Sequence, residues 1–225
     1  MGVFDAVLPY HGTDNFEITH AVRLLKKYSN VRNIHIVGDN PNIDGVIVHD
    51  YVQLHTKELN IWNKVFAACF IDGLSDDFLF INDDHFITQT IDTGLPDYYE
   101  GTLHDIAVNY PNVGYGSAIN DTIALLESIG RETKNFDIHC PIFFNKIKFK
   151  ELFLHLFSGK MLDKDILMKS TYCNYYGIKG RRMTDLKFRY LCSKDEFAEK
   201  IVDRWVFSTQ NGAISRELKE FIVDL

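Results

Sequence analysis

Two adjacent carboxylates, Asp83 and Asp84, stand between Asn82 and His85, directly after the apolar run Phe78-Leu79-Phe80-Ile81. Side-by-side carboxylates repel, and leaving an apolar strand together they are costly to bury. A divalent cation removes that cost: Mg²⁺ or Mn²⁺ binds through one or two carboxylates, substrate phosphates and waters. The plain alternative is an Asp pair that caps a loop. The apolar run before it reads as a strand covered on both faces, and open α/β sheets bind ligands at the carboxyl ends of their strands.

Three other groups can do chemistry. The loop Pro9-Tyr10-His11-Gly12-Thr13-Asp14 leaves an apolar run and opens a helix, so its backbone N–H groups can meet phosphates and Tyr10 can stack on a base. Asp39, in a Gly-Asp-Asn-Pro turn, can accept a hydrogen bond from uracil or another base edge. Near the C-terminus, Gly177 and Gly180 flank Lys179, and Arg181 and Arg182 follow. Arginine meets phosphate oxygens bidentately, and a nucleic-acid groove would use the same ingredients. A capped turn, an ordinary Asp turn and a solvated basic turn are the respective alternatives.

These residues need elements to position them. Phe4–Pro9 reads as a strand, and residues 15–28 as an amphipathic helix with Thr13 or Asp14 as N-cap. Strands follow at 33–37 and 45–48, a helix at 57–71 and the apolar strand at 78–81. Beyond Gln89 the expected elements are helices near 118–129, 146–157, 161–176 and 213–223, with a strand at 142–144. Strand–helix–strand–strand–helix–strand predicts an α/β layer with a mostly parallel sheet. On the helix at 57–71, Lys57, Asn60, Asn63 and Lys64 share a polar face opposite Ile61, Val65 and Ala68.

Composition bounds the function. The 225 residues are 46% hydrophobic and 24% charged, enough apolar material for one sizeable core. No stretch approaches the roughly 18 apolar residues of a membrane span, and the N-terminus lacks the basic region of a signal peptide. Four widely spaced cysteines, with no Cys-x-x-Cys pair, suit a reduced, cytoplasmic protein. The net charge of −7 conceals an asymmetry: residues 1–145 carry 8 Lys/Arg against 20 Asp/Glu, and residues 146–194 carry 12 against 4. The basic segment is either a solvated face or a handler of anions.

The strand ending in an acidic cluster resembles the DxD feature of GT-A glycosyltransferases. The string Leu74-Ser75-Asp76-Asp77-Phe78-Leu79-Phe80-Ile81-Asn82-Asp83-Asp84-His85-Phe86 is similar to a segment of the Stealth family, whose members transfer sugar-1-phosphates to glycans on a GT-A-like scaffold. Asp14-Asn15-Phe16-Glu17, the stretch Ala21–Tyr28 and Asp137-Ile138-His139-Cys140-Pro141 resemble other segments of that family.

The resemblance implies a GT-A-like, Rossmann-like fold: a mostly parallel sheet flanked by helices, with a mainly helical C-terminal part. It implies one catalytic domain, about 1–145 binding donor and metal and about 146–225 serving as acceptor or lid part. Asp84 becomes the direct ligand of Mn²⁺ or Mg²⁺, Asp83 a contact to ribose or metal, and Asn82 a brace. His139 becomes a second metal ligand or, in a Stealth-type reaction, the group that activates the acceptor. His85 is a second-tier candidate, because strand alternation turns it from the metal.

Asn60 and Lys64 then face a nucleoside diphosphate-sugar, best a UDP-sugar. The loop bearing Lys179, Arg181 and Arg182 closes over its diphosphate. The acceptor base is left among His139, Asp121 and Asp137. The acceptor itself is a hydroxylated base in DNA or a glycan. Sugar-1-phosphate transfer and a non-catalytic nucleic-acid or glycan-binding module are the competing functions, and oligomeric state is open.

Overall fold

The computed structural model describes residues 2–12, 14–53, 56–157, 164–210 and 213–225. In the first half the elements are β1 (Phe4–Tyr10), α1 (Phe16–Tyr28), β2 (Val31–Gly38), β3 (Ile47–His49), α2 (Lys57–Ala68), β4 (Asp77–Phe80) and β5 (His85–Ile87). They continue with β6 (Tyr98–Tyr99), α3 (Leu103–Ala107), α4 (Tyr115–Ser128), β7 (Ile142–Asn145), α5 (Lys146–Phe157) and α6 (Met168–Tyr175). The chain ends with β8 (Arg181–Arg182), β9 (Lys187–Phe188), α7 (Lys194–Ile201), β10 (Val206–Thr209) and α8 (Arg216–Asp224).

The central sheet runs β3-β2-β1-β4-β7, parallel except for the antiparallel edge strand β7, as the sequence pattern predicts. Side chains alternate across it. Val7, Phe78 and Phe80 join Trp62, Phe149 and Tyr172 on the face covered by α2, α5 and α6. Leu8, Leu79 and Ile81 join Ile18, Val22 and Leu25 of α1 on the other. Both faces of β4 are therefore dry, which explains its uninterrupted apolar run. No described helix is long and apolar enough to cross a membrane.

Some expectations need correction. The N-cap of α1 is Asn15, while Asp14 receives the Phe16 N–H at 3.1 Å; Thr13 lies outside the described residues. Helix α6 begins at Met168, and positions 161–163 of the longer predicted helix also fall outside them. The short strands β5, β6, β8, β9 and β10, with helices α3 and α7, carry no periodicity that the sequence reading caught. The C-terminal part is accordingly helical with three interposed strands.

Those strands matter, because β5-β10-β9 form a second sheet. In its register Ser208 pairs with His85 on one side and Lys187 on the other. One row across this sheet thus lines up three side chains at the end of the acidic turn.

Candidate active site

The first two strands end together. Tyr10 and Gly38 are register partners, and Gly38 has φ of +135°. A Cβ there would lie 1.9 Å from the Tyr10 carbonyl oxygen, so only glycine allows this approach. That carbonyl accepts from the Lys64 ammonium at 2.7 Å and the Asp39 N–H at 3.3 Å. Asp39 Oδ2 in turn receives the Gly12 N–H at 3.1 Å and meets His11 Nδ1 at 2.7 Å.

Beside these ends, β4 passes through Ile81 into a turn closed by His85 N–H to Asn82 O at 3.3 Å. A cavity of about 850 Å³ opens over the turn. Of the predicted residues, Pro9, His11, Asn60, Lys64, Asn82, Asp83, Asp84 and His139 all line it. Lys57, Glu17, Lys187 and Thr209 add to the charged and polar wall, with Gln53 and Gln210. The polar face of α2 is only partly solvated: Lys57 is exposed, while Asn60 and Lys64 are buried and line this cavity.

Asp84 is held on one side only. Its Oδ2 accepts from Ser208 Oγ at 2.9 Å and Lys187 Nζ at 3.3 Å. Its Oδ1 is buried with no hydrogen-bond partner. His85 Nε2 stands 3.7 Å from that oxygen, too long for a hydrogen bond, and is itself buried and unpartnered. The ring therefore turns toward Asp84, against the expectation from strand alternation. Its Nδ1 faces the Asn82 N–H at 3.4 Å, which assigns the proton of the neutral ring to Nε2. Burial pushes the His85 imidazole down to about 3, so it meets Asp84 as a dipole.

The electrostatics divide the pair. Burial, then the charges of Asp84 and Glu17, push the Asp83 carboxyl up to about 7. Burial acts on Asp84 in the same direction, but His85, Lys187, His139 and the Ser208 hydroxyl more than offset it and hold that carboxyl below its ordinary value. Glu17, in the first turn of α1, is raised by burial and receives the Thr209 hydroxyl.

His139 is clamped. Asp185 accepts its backbone N–H at 2.9 Å through Oδ1 and its ring Nδ1–H at 2.6 Å through Oδ2. The buried Lys169 ammonium donates to the flanking carbonyls of Ile138 and Cys140. Burial opposes ionisation of Asp185, yet the His139 contacts and Lys169 bring it down to about 2. An ionised Asp185 fixes the proton on Nδ1 and leaves Nε2 with its lone pair. His139 also lines a second cavity of about 350 Å³, which shares Asn82, Lys57 and Ile61 with the first.

Among the described residues, no group of three or more His, Cys, Asp or Glu is gathered to hold a metal. Asp83, Asp84 and His139 therefore do not form a closed ligand set. The residues present still fit a hard cation that takes one or two carboxylates and completes its shell with phosphate and water. The orphaned Asp84 Oδ1 and the mutual repulsion of Glu17, Asp83 and Asp84 are what such an ion would relieve.

Other expected roles are not met. The Tyr10 ring is buried in the core, with its hydroxyl on Asn15 Oδ1 at 2.8 Å, so it offers no stacking face. The Gly12 N–H is occupied by Asp39, and Asp39 itself does not line the cavity. Asp121 is paired with Lys164 at 2.9 Å and reaches neither cavity, whereas Asp137 lines the smaller one. Lys179, Arg181 and Arg182 line neither; β8 is instead hydrogen-bonded to β6, outside the predicted place over the diphosphate.

Sequence reasoning missed Glu17, Asp185, Lys187, Ser208 and Thr209. Glu17 had a signal, an acidic residue in the first turn of a helix that follows a β-strand end. The others sit in strands of two to four residues or in loops, and nothing local marks them.

No protein-family model and no curated protein matches the sequence, so the Stealth resemblance rests on the quoted residues alone. The solved structures to which this chain is similar include glycosyltransferases. The galactosyltransferase LgtC, in complex with donor and acceptor sugar analogues, is 11% identical, with 98% of this chain and 94% of that chain covered at a TM-score of 0.49. GlyE of Streptococcus pneumoniae is 11% identical over 99% of this chain and 60% of its own, at 0.44. A glycosyltransferase involved in glycosylation of the major capsid of PBCV-1 is 14% identical over 99% of this chain and 100% of its own, at 0.43. At these levels of likeness, the chemistry must be carried by the site's own residues.

Proposed function

We propose that this chain is a metal-dependent glycosyltransferase that moves a sugar from a nucleoside diphosphate-sugar, best a UDP-sugar, to a hydroxyl acceptor. One observation carries the reading. Two adjacent carboxylates sit half-buried at the carboxyl end of a parallel sheet, one oxygen unpartnered, in a cavity of about 850 Å³ that also holds Lys57, Lys64 and Lys187. Half-buried carboxylates that keep an unpartnered oxygen beside ammonium groups suit a ligand that brings both phosphate and a cation.

Asp84 and Asp83 would hold Mn²⁺ or Mg²⁺, which supplies Lewis-acid stabilisation of the departing diphosphate. Lys57 and Lys187 add positive charge on the same wall, a role the sequence assigned to the loop with Lys179, Arg181 and Arg182. The bond from the sugar carbon to the diphosphate oxygen breaks with its electron pair leaving on the diphosphate. The acceptor oxygen forms the new bond to that carbon, and its proton passes to a base. Nε2 of His139 has one lone pair, so it serves either the ion or this proton. Its position on the wall shared by both cavities favours the proton, with Asp185 fixing the tautomer.

In this reading residues 1–145 supply most of the donor and metal site, but the 146–225 part completes it through Lys187, Ser208 and Thr209. The acceptor is a glycan or a hydroxylated base in DNA. The decisive test incubates the protein with a panel of sugar nucleotides and Mn²⁺, with and without EDTA, and identifies the nucleotide released. Metal-dependent nucleoside diphosphate, lost in Asp84→Ala, supports the reading; monophosphate would replace it with sugar-1-phosphate transfer.

A further inference from the structure

Helix α5 turns Phe149, Leu152, Phe153 and Leu156 inward. Its opposite face is not simply polar. Ile147 and Leu154, about two turns apart, lie one above the other and are 52% and 48% exposed. Lys150 and Glu151 stand between them at helical spacing, and Lys148 and His155 flank them.

Ring contacts extend this face on both sides. Toward α2, the Lys150 ammonium lies 5.1 Å from the centre of the Phe70 ring. Phe70 is 61% exposed and yet held in place: it meets Phe66 edge to face at 5.1 Å, and Phe66 stacks on Phe153 of α5 at 4.0 Å. Toward α6, Lys148 lies 5.4 Å from the Tyr176 ring, whose hydroxyl donates to Lys148 O at 2.7 Å. Tyr176 abuts Tyr175 at 5.1 Å, and Arg131 caps the Tyr175 ring at 6.0 Å. An apolar ridge of Phe70, Ile147 and Leu154 is thereby set among Lys148, Lys150 and Arg131.

The charges on this face are uncommitted. Lys146, at the start of α5, is neutralised by Asp76 at 3.0 Å, and Lys134 by Glu132 at 2.7 Å. Among the described residues Lys148, Lys150 and Arg131 make no ion pair and rest on aromatic rings instead. Such cations beside large apolar side chains in water fit a partner with negative charge and an apolar layer close beneath it. A nucleic-acid backbone offers the charge without that layer, whereas an anionic bilayer surface offers both. The face is also remote from the donor cavity. Lys57, the first residue of α2, lines that cavity, and Phe70 lies beyond the other end of the helix. At helical rise that is about 20 Å away, so a partner here need not cover the cavity.

We infer that this face, centred on Ile147, Lys150 and Leu154 and extended by Phe70 and Lys148, docks the protein on an anionic lipid surface. The cations meet headgroup phosphates, and the three apolar side chains enter the boundary between headgroups and acyl chains. The inference stands apart from the glycosyl-transfer reading.

The experiment floats the full chain on a density gradient with vesicles of phosphatidylcholine, alone or with about 30% phosphatidylglycerol. The expected result is at least about tenfold stronger partition to the anionic vesicles, weakened at least about threefold when NaCl rises from about 0.1 M to about 0.5 M. K148A/K150A brings that partition down to the level of phosphatidylcholine alone. F70S/I147S/L154S lowers it at least about fivefold. I147S/L154S, confined to the outer face of one helix, gives the same direction should the triple variant fail to fold. Glu151→Gln, which removes the carboxylate between Ile147 and Leu154, raises partition about twofold or more.

Equal partition to the two kinds of vesicle, or none to either, would overturn the inference. So would loss of binding in K148A/K150A with both serine variants folded and unchanged, which marks a general polyanion face rather than a lipid one. Mn²⁺-dependent UDP binding, read on the same variants, is expected to equal that of the parent, so failure here leaves the donor reading standing.

Discussion

Two ends of one sheet treat a buried carboxylate in opposite ways. At the N-terminal end, Asp5 is fully enclosed and fully satisfied. It accepts from Arg32 Nε at 3.0 Å and Nη2 at 2.6 Å, from the Asn33 N–H at 3.2 Å, and from the Ser75 N–H at 2.8 Å and hydroxyl at 2.9 Å. Burial opposes its charge, yet the Arg32 and Ser75 contacts bring the carboxyl down to about 2. At the C-terminal end, Asp83 is driven up to about 7 and Asp84 keeps a buried oxygen without a partner. One carboxylate is a finished structural joint. The other pair is left incomplete by the protein itself, which is the signature of a site that a ligand finishes.

That contrast can be broken or sharpened by substitution. The largest effect belongs to Asp84→Ala: sugar transfer falls by about a thousandfold or more, with a circular-dichroism spectrum and melting curve that remain those of a folded chain. His139→Ala and Asp185→Asn come next, each lowering transfer about a hundredfold while Mn²⁺-dependent nucleotide binding persists. Loss of metal binding in His139→Ala would instead make His139 a ligand, as the family resemblance implies.

The N-terminal joint responds in stability. Asp5→Asn lowers it by about 2 kcal/mol, seen in urea unfolding, with activity per folded molecule unchanged. Because the folded Asp5 titrates near 2 and the unfolded group near 4, its contribution is complete above the higher value and lost as pH falls through the lower. Asp5→Asn should flatten that part of the acid-unfolding profile.

Asp83→Asn has the opposite sign. Removing a repelling carboxyl raises the stability of the metal-free protein, by on the order of 1 kcal/mol. The smallest effect is expected for R181A/R182A, which line neither cavity. Donor hydrolysis should change less than about twofold.

How much of this was legible in the sequence follows the strength of local signals. The strand–helix pattern through β4 and the Asn82-Asp83-Asp84 turn were readable because alternation, caps and an apolar run ending in charge are short-range facts. Asn60 and Lys64 were readable as a face, though solvent would have been the ordinary guess. Lys187 and Ser208 were not, nor was the turn of His85 toward Asp84, since their row exists only through pairing of β10 with β9 and with β5, the latter more than a hundred residues away. A strand as short as Lys187–Phe188 has no period to detect. Arg181 and Arg182 misled for the converse reason: charge and glycine are visible locally, but which surface they face is decided by pairing with Tyr98 and Tyr99.

The central claim is that the C-terminal carboxylates are completed by a cation together with a diphosphate. Isothermal titration of UDP into the protein with and without Mn²⁺, repeated on Asp84→Asn, tests it most directly. The account predicts binding that requires Mn²⁺ and is lost in Asp84→Asn, in a variant whose circular-dichroism spectrum and cooperative melting remain those of a folded chain. UDP binding of equal strength without metal, or undiminished in Asp84→Asn, would contradict it.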